Sequence, residues 1–450
     1  MEHGPHPSSP AAVLLVNDRF PEYDIEWSCS MTAQNAPTKN LSYDNESAGV
    51  PLVPRINIHA FCELPQTYEA IRTAFADRRM SRAHGTIAAG GITAAVKRYE
   101  SQSTPNLLMV ESNAPRETLL SQLSSLAEVC QPDTKVVVLG HANDVILYRD
   151  LIKQGVSEYI VAPFMPLQLI EAVDSLYRSE KSSPIGRVIA FIGAKGGTGS
   201  STLSHNCAWE IARICDIETT IIDLDLAFGT AALNFNLDAA GGILEAIAQP
   251  ERVDSLLLDR LLVKLGDRLT LLGGQGGVDK DFTVEAHAVE TVLLAMRLSV
   301  PMIIVDLPNL WAPWVRYTLL HADQVVVVAE PELASLRNAR ELLDLLVAAR
   351  PNDPPPAVVL NQLDVPKRPE IPAIEFRKAI GVDVVATIPF DPQNFGAALN
   401  NGRMLLDFAP RSKAANALRM LSQKIAGDRI RKPQASRESI LNKLLVLGRK

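Results

Sequence analysis

The chain has 450 residues, of which 47% are hydrophobic and 21% charged, and a formal net charge of −7. That is material for two or three packed domains. The acidic balance excludes a chain built mainly to coat nucleic acid, and no apolar run approaches the ~20 residues of a spanning helix.

In chain order, residues 1–54 are rich in Pro, Ser, Asn and acids, with one apolar run at 11–16. They predict a disordered tail, with no basic region before a long apolar core and so no secretion signal. The five cysteines (Cys29, Cys62, Cys130, Cys207, Cys215) are scattered, and the eight histidines do not cluster with them. That pattern predicts reduced thiols in a cytoplasm and no zinc site.

From residue 55 to 178 strand and helix patterns alternate. Strands are expected at 56–62, 107–110, 136–139 and within 155–164, and helices at 67–76, 116–130, 145–154 and 167–178. This alternation predicts a doubly wound α/β domain: a parallel sheet with helices on both faces. The stretch 155–164 resembles the end of a response-regulator receiver domain, which reads Gly-x-x-x-Tyr-hydrophobic-x-Lys-Pro-Phe. The resemblance places Glu111 at the phospho-acceptor Asp, Gly140 at the Thr/Ser position, Ala162 at the lysine, and only Glu63 at the acidic pair. Phosphoryl transfer needs the nucleophile, the metal acids and the cation. The implied domain is therefore a flavodoxin-type, receiver-like one that does not take phosphate. Its expected role is protein contact or dimerisation, or that of a spacer. Residues 179–186 are polar with Pro and Gly and read as a linker.

A second domain is expected over 187–427. An apolar run, 188–192, enters a turn with Gly193, Gly196, Gly197 and Gly199, and a helical pattern runs from Ser200 to 214. Strand, glycine turn and helix start together form a phosphate cradle, because converging N–H groups and the helix dipole meet there. The usual P-loop, G-x-x-x-x-G-K-[ST], is altered. Ala194 stands at the first Gly and Ser200 at the lysine, while Ser201 keeps the hydroxyl suited to Mg²⁺ and Lys195 lies inside the loop. A β-branched run, 219–226, is expected to be a strand bearing Asp223 and Asp225 on one face. Another, 302–305, ends in Asp306 like a Walker B strand. Further strands are expected at 324–329, 357–360 (ending at Asn361) and 383–388, before Pro389. Trp311 and Trp314 read as core or interface residues.

The loop Lys195-Gly-Gly-Thr-Gly-Ser-Ser resembles the deviant Walker A loop of the MinD/ParA ATPases. The resemblance implies ATP and Mg²⁺ as cofactors. Lys195 would reach across a dimer to the partner's nucleotide, and Asp225 would orient the attacking water. Gly196, Gly197, Thr198, Gly199, Ser200, Ser201 and Thr202 would hold phosphates, Ser201, Asp223 and Asp306 the metal, and Asn361 and Pro389 the adenine side. A receiver-like domain before such an ATPase is similar to the CpaE/TadZ family of Flp/Tad pilus assembly proteins. That implies a cytoplasmic protein that marks a cell pole or assembly site, peripheral to the inner membrane. It would recruit pilus secretion machinery, including its secretion ATPase, and work as an ATP-dependent homodimer.

With Ser200 in place of the loop lysine, weak ATP hydrolysis is expected. Two alternatives stand beside it: a ParA-like cargo positioner riding DNA, and a nonhydrolysing nucleotide-bound scaffold. From 424 to 450 there are eight Lys or Arg against two acids, a net +6. Ile440, Leu441, Leu444, Leu445 and Leu447 fall mostly on one helical face. This tail, 428–450, has protein, membrane and DNA as its candidate partners, in that order.

Overall fold

Short apolar runs set both sheets. The computed structural model describes residues 52–177, 185–237, 242–274 and 283–427. The segments expected as tails, and most of the linker, lie outside them.

The first sheet has five strands: β1 (Asn57–Cys62), β2 (His84–Ala89), β3 (Leu107–Ser112), β4 (Lys135–Gly140) and β5 (Glu158–Val161). Their order is β2-β1-β3-β4-β5, and every pairing is parallel. β3 is buried throughout; Leu107 and Met109 pack in one core, Leu108 and Val110 in the other. This period-two split covers both faces with helices. These are α1 (Pro65–Phe75), α2 (Ile92–Tyr99), α3 (Arg116–Val129), α4 (Val145–Lys153) and α5 (Pro166–Tyr177). β2 and α2 go beyond the elements expected from sequence. β2 is a half-exposed edge without an apolar run, and its Gly85 lets the Phe75 ring lie where a side chain would be. Val53 is fully buried and donates its N–H to Arg79 O, 2.8 Å. The folded part thus begins before residue 55.

The receiver-like positions are occupied by structural contacts. Glu111 is fully buried, and each carboxylate oxygen has two partners. Oε1 takes Thr67 Oγ1 (2.5 Å) and pairs with His141 Nε2 (3.0 Å); Oε2 takes the N–H groups of Glu63 (2.6 Å) and Leu64 (2.9 Å). At Gly140 an added Cβ would lie 2.2 Å from Tyr159 Oη, which itself donates to Ala142 O. A Thr or Ser cannot share that space with the inward tyrosine. Incubation with a small-molecule phosphodonor is expected to leave the protein unlabelled. Glu111→Ala should cost about 2–3 kcal/mol in urea unfolding, since the buried Thr67 hydroxyl and three part-buried groups lose their acceptor.

The second sheet has eight strands: β6 (Arg187–Gly193), β7 (Thr219–Asp223), β8 (Val263–Lys264), β9 (Leu269–Leu272), β10 (Met302–Asp306), β11 (Gln324–Ala329), β12 (Ala357–Leu363) and β13 (Val384–Pro389). The order is β13-β12-β11-β6-β10-β7-β9-β8, with only β8 antiparallel. β8 and β9 are additions to the expected set. They are short, and lack the long Val/Ile run that marks the central strands. Val188, Ala190 and Ile192 enter one core, Ile189 and Phe191 the other. β6 lies between β10 and β11, so the chain leaves it at a switch point, where open α/β sheets bind ligands.

Both sheets belong to one compact unit, joined through a buried charge cluster. Arg78 Nε donates to Asp353 (2.8 Å) and its Nη1 to Asp323 (3.1 Å); Arg79 pairs with Asp353 and Asp77. Asp323 also takes Arg297 (2.6 Å) and the Val188 N–H (2.8 Å) at the root of β6. Among the described residues no helix is long and apolar enough to cross a membrane.

Candidate functional site

The site gathers at the carboxyl ends of β6, β10 and β7. α6 (Ser200–Arg213) starts from Gly199, whose φ of 84° is the left-handed region; Gly197 is similar at 87°. Only glycine enters that region freely, so the turn can fold back onto the helix axis. An added Cβ on Gly199 would also lie 2.5 Å from Asn361 Nδ2.

Four side-chain amides pin the carbonyls of this turn. Asn309 Nδ2 donates to Gly193 O (2.9 Å), Asn338 Nδ2 to Ala194 O (3.0 Å), Gln362 Nε2 to Gly197 O (2.9 Å) and Asn361 Nδ2 to Thr198 O (2.8 Å). Among the described residues nothing takes the N–H groups of Lys195 to Gly199. Carbonyls held by amides and N–H groups left over form an anion nest at a helix N-terminus. Sequence reading misses this shell. Its members are spread from residue 309 to 362 and share no local pattern. Asn361, expected at adenine, has its Nδ2 engaged with the loop. Ser200 is buried and its Oγ has no partner, a hydroxyl suited to a ligand oxygen.

Asp223 and Asp306 are register partners on adjacent parallel strands, about 4.8 Å apart. Both are buried, and Asp306 Oδ1 has no partner. β7 stops at Asp223 rather than running to residue 226. Asp223 Oδ1 takes the Asp225 N–H (3.0 Å) and Asp225 Oδ1 takes the Phe228 N–H (3.0 Å), which curls the chain. Asp225 therefore sits half-exposed beyond the strand. Burial, and then the neighbouring Asp306, push the Asp223 carboxyl up to about 6. A bound divalent cation must displace that proton. Mg²⁺ affinity is expected to be flat above pH 7 and to fall about tenfold per unit below pH 6, read by calorimetry. The metal-free fold moves oppositely: the folded carboxyl keeps its proton up to about 6 and the unfolded one only to 3.8, so stability rises as pH falls from 7 to 5.

Lys195 lies on its own chain's acids, 2.9 Å from Glu332 and 3.5 Å from Glu330. Glu332, then burial offset by both carboxylates, leaves its ammonium raised above the ordinary lysine value. Glu330 is further tied to Arg368, 3.2 Å. Both ends of the Lys195–Glu332 pair are about a third exposed, so it is worth about 0–1 kcal/mol and yields readily. Ser201 and Thr202 are half-buried on the first turn of α6, and Pro389 ends β13. Trp314 is core, as expected, but Trp311 is exposed, at the rim of a cavity of about 430 Å³ shared with Gly193, Ala194 and Asn338.

His205 is a further member that the sequence does not mark. It is fully buried on α6, with Nε2 3.3 Å from Asp306 Oδ2 and Nδ1 2.9 Å from Asn234 Nδ2. Inside a helical pattern it gives no signal, and only the register of α6 on β10 reveals it. The whole donor set (free N–H groups, an orphan hydroxyl, two apposed carboxylates) fits a phosphate anion with a divalent cation.

No family model matches the chain. A crystal structure of a pilus assembly protein CpaE from Caulobacter crescentus CB15 is 53% identical, over 29% of this chain and 98% of that one, with a TM-score of 0.28. A ParA family ATPase from Chlorobium tepidum TLS is 26% identical, over 53% and 98%, with a TM-score of 0.49. The septum site-determining protein MinD of Bacillus subtilis is 21% identical over 260 residues, 55% of this chain and 91% of MinD. The fold is thus a five-stranded parallel sheet of receiver-like type followed by an eight-stranded sheet of MinD/ParA type. On the 53% identity along nearly all of the Caulobacter protein, the chain belongs to the CpaE/TadZ family of pilus assembly proteins.

Proposed function

We propose that this chain is an ATP-binding, slowly hydrolysing ATPase that acts as a nucleotide-gated homodimer in the placement and assembly of the Flp/Tad pilus. The observation that supports it most is the phosphate nest with its carbonyls pinned, beside the Asp223–Asp306 pair. In this reading the nest and the start of α6 hold the phosphates of ATP. Ser201, Asp223 and Asp306 hold Mg²⁺, which when bound neutralises phosphate charge. Asp225 orients a water, and Asn361 and Pro389 flank the base. Lys195 leaves Glu332 and meets the partner's γ-phosphate, so that charge arrives only on assembly, as an arginine finger's does. Its proposed setting is the cytoplasmic face of the inner membrane at a cell pole, with the pilus secretion machinery, including its secretion ATPase, as partner.

Ser200 favours a second reading, a nonhydrolysing scaffold with nucleotide as a fixed part, because one cation on the β/γ-phosphates is missing. Phosphate release by the purified full chain with Mg-ATP separates the two. Slow release that rises with protein concentration supports the gated dimer; bound nucleotide with no release supports the scaffold. Anionic vesicles and nonspecific duplex, added in turn, test membrane and DNA coupling.

A further inference from the structure

We propose that His205 is a metal ligand, and that His205, Asp223 and Asp306 together form a site for a borderline first-row divalent ion such as Co²⁺ or Zn²⁺. The inference rests on the reading of Asp223 and Asp306 as the metal carboxylates of the nucleotide site. It adds a nitrogen ligand and a different class of ion.

Three observations carry it. One ligand atom from each of the three residues lies within 4.8 Å of the others, and all three residues are buried. His205 Nε2 is fully enclosed and 3.3 Å from Asp306 Oδ2, yet outside hydrogen-bond geometry; Asp306 Oδ1 also has no partner. A buried unpartnered nitrogen beside a carboxylate whose other oxygen is also unpartnered is costly to keep dry unless something binds there. The spacing is also that of co-ligands, because two atoms each ~2.05 Å from a tetrahedral ion stand about 3.3 Å apart. A hydrogen-bonded pair would be nearer and in line.

The outer contacts fit as well. Asn234 faces His205 Nδ1 at 2.9 Å. With its amide turned so that Oδ1 accepts Nδ1–H, it frees the Nε2 lone pair for the metal. Asp223 is oriented by the N–H groups of Asp225 (3.0 Å) and Ala231 (3.1 Å). Imidazole nitrogen suits Zn²⁺ and its neighbours, whereas Mg²⁺ prefers an all-oxygen octahedron. Two carboxylates and a neutral imidazole carry the charge that a divalent ion cancels.

The test uses the full chain, stripped with chelator and free of nucleotide, titrated with CoCl₂ and separately with MgCl₂. The expected result is one tight Co²⁺ with visible d–d absorption, at least about 100-fold tighter than Mg²⁺. His205→Asn and His205→Gln should each weaken Co²⁺ at least about tenfold and lose those bands. Equal Co²⁺ affinity and spectrum in either folded variant would overturn the proposal. So would Co²⁺ binding no tighter than Mg²⁺ in the unmodified chain, a comparison that needs no variant. Binding of a fluorescent ATP analogue with Mg²⁺ is measured in parallel on the unmodified chain. Tight Co²⁺ without nucleotide binding defeats the ATPase reading alone; nucleotide binding with Co²⁺ indifferent to His205 defeats this inference alone.

Discussion

Asp323→Ala is expected to destabilise the protein by about 3–5 kcal/mol, because it leaves the buried Arg297 guanidinium without its counter-charge and Arg78 with Asp353 alone. Asp323 is enclosed between Arg78, on the short helical turn Arg78–Met80 beside the first sheet, and Arg297, on the helix Ala286–Ser299 beside the second, and takes the Val188 N–H besides. Urea unfolding of the full chain reads the loss. Arg72→Ala provides the contrast: its pair with Glu69 is about 60% exposed at both ends, and its removal should cost less than about 0.5 kcal/mol. The pH dependence comes from the direction of the shift. Burial works against the Asp323 carboxylate, but Arg297 and Arg78 more than offset it and hold its folded value below the ordinary 3.8. Its contribution is therefore complete above the unfolded value and is lost as pH falls through the acid range below 3.8. A cluster of this kind makes the receiver-like part a fixed support for the root of β6, the strand that carries the phosphate loop.

The second large effect is expected at Lys195. Lys195→Ala should lower phosphate release on the order of 10²–10³-fold, the range for removing one charge from a transition-state site. It should also abolish the nucleotide-dependent dimer. Binding of ATP to a single chain should change little by comparison, because the nest N–H groups belong to the backbone. In-chain contacts do not oppose the role. The Lys195–Glu332 pair is partly solvated and 2.9 Å long, and the surface position makes its loss inexpensive. Glu330 stays neutralised when the lysine leaves, since Arg368 holds it at 3.2 Å.

Much of this site is legible in the sequence, for a physical reason. A central parallel strand is buried on both faces, so 188–192, 302–305 and 324–329 read as unbroken β-prone runs. The residues just past the end of such a run form the ligand edge, which makes the glycine turn, Asp223 and Asp306 stand out. The rest depends on distance in sequence. Asn309, Asn338 and Gln362 reach the loop from three other elements, and no spacing links them to it. His205 looks like any helical residue until α6 is laid on β10. No local pattern marks Arg78 and Arg79, yet they meet Asp353, some 275 residues away. The edge strands β2 and β8 are half-exposed or only two residues long, and lack the pattern that betrays the centre. Placing Asp225 on a strand carries the alternation two residues too far; the Asp223 side chain ends the strand by capturing the Asp225 N–H.

The claim on which the functional reading turns is that Lys195 serves the other copy's nucleotide. Mixing two inactive variants tests it most directly. Lys195→Ala keeps Asp225, and Asp225→Asn keeps Lys195. If the lysine acts across a two-fold interface, equal mixing should restore phosphate release, to at most about a quarter of the unmodified rate, because each mixed dimer keeps one lysine across the interface and so one complete site. If the mixture releases no more phosphate than the two variants apart, while the unmodified chain is active under the same conditions, Lys195 acts within its own chain and the shared-site account is wrong.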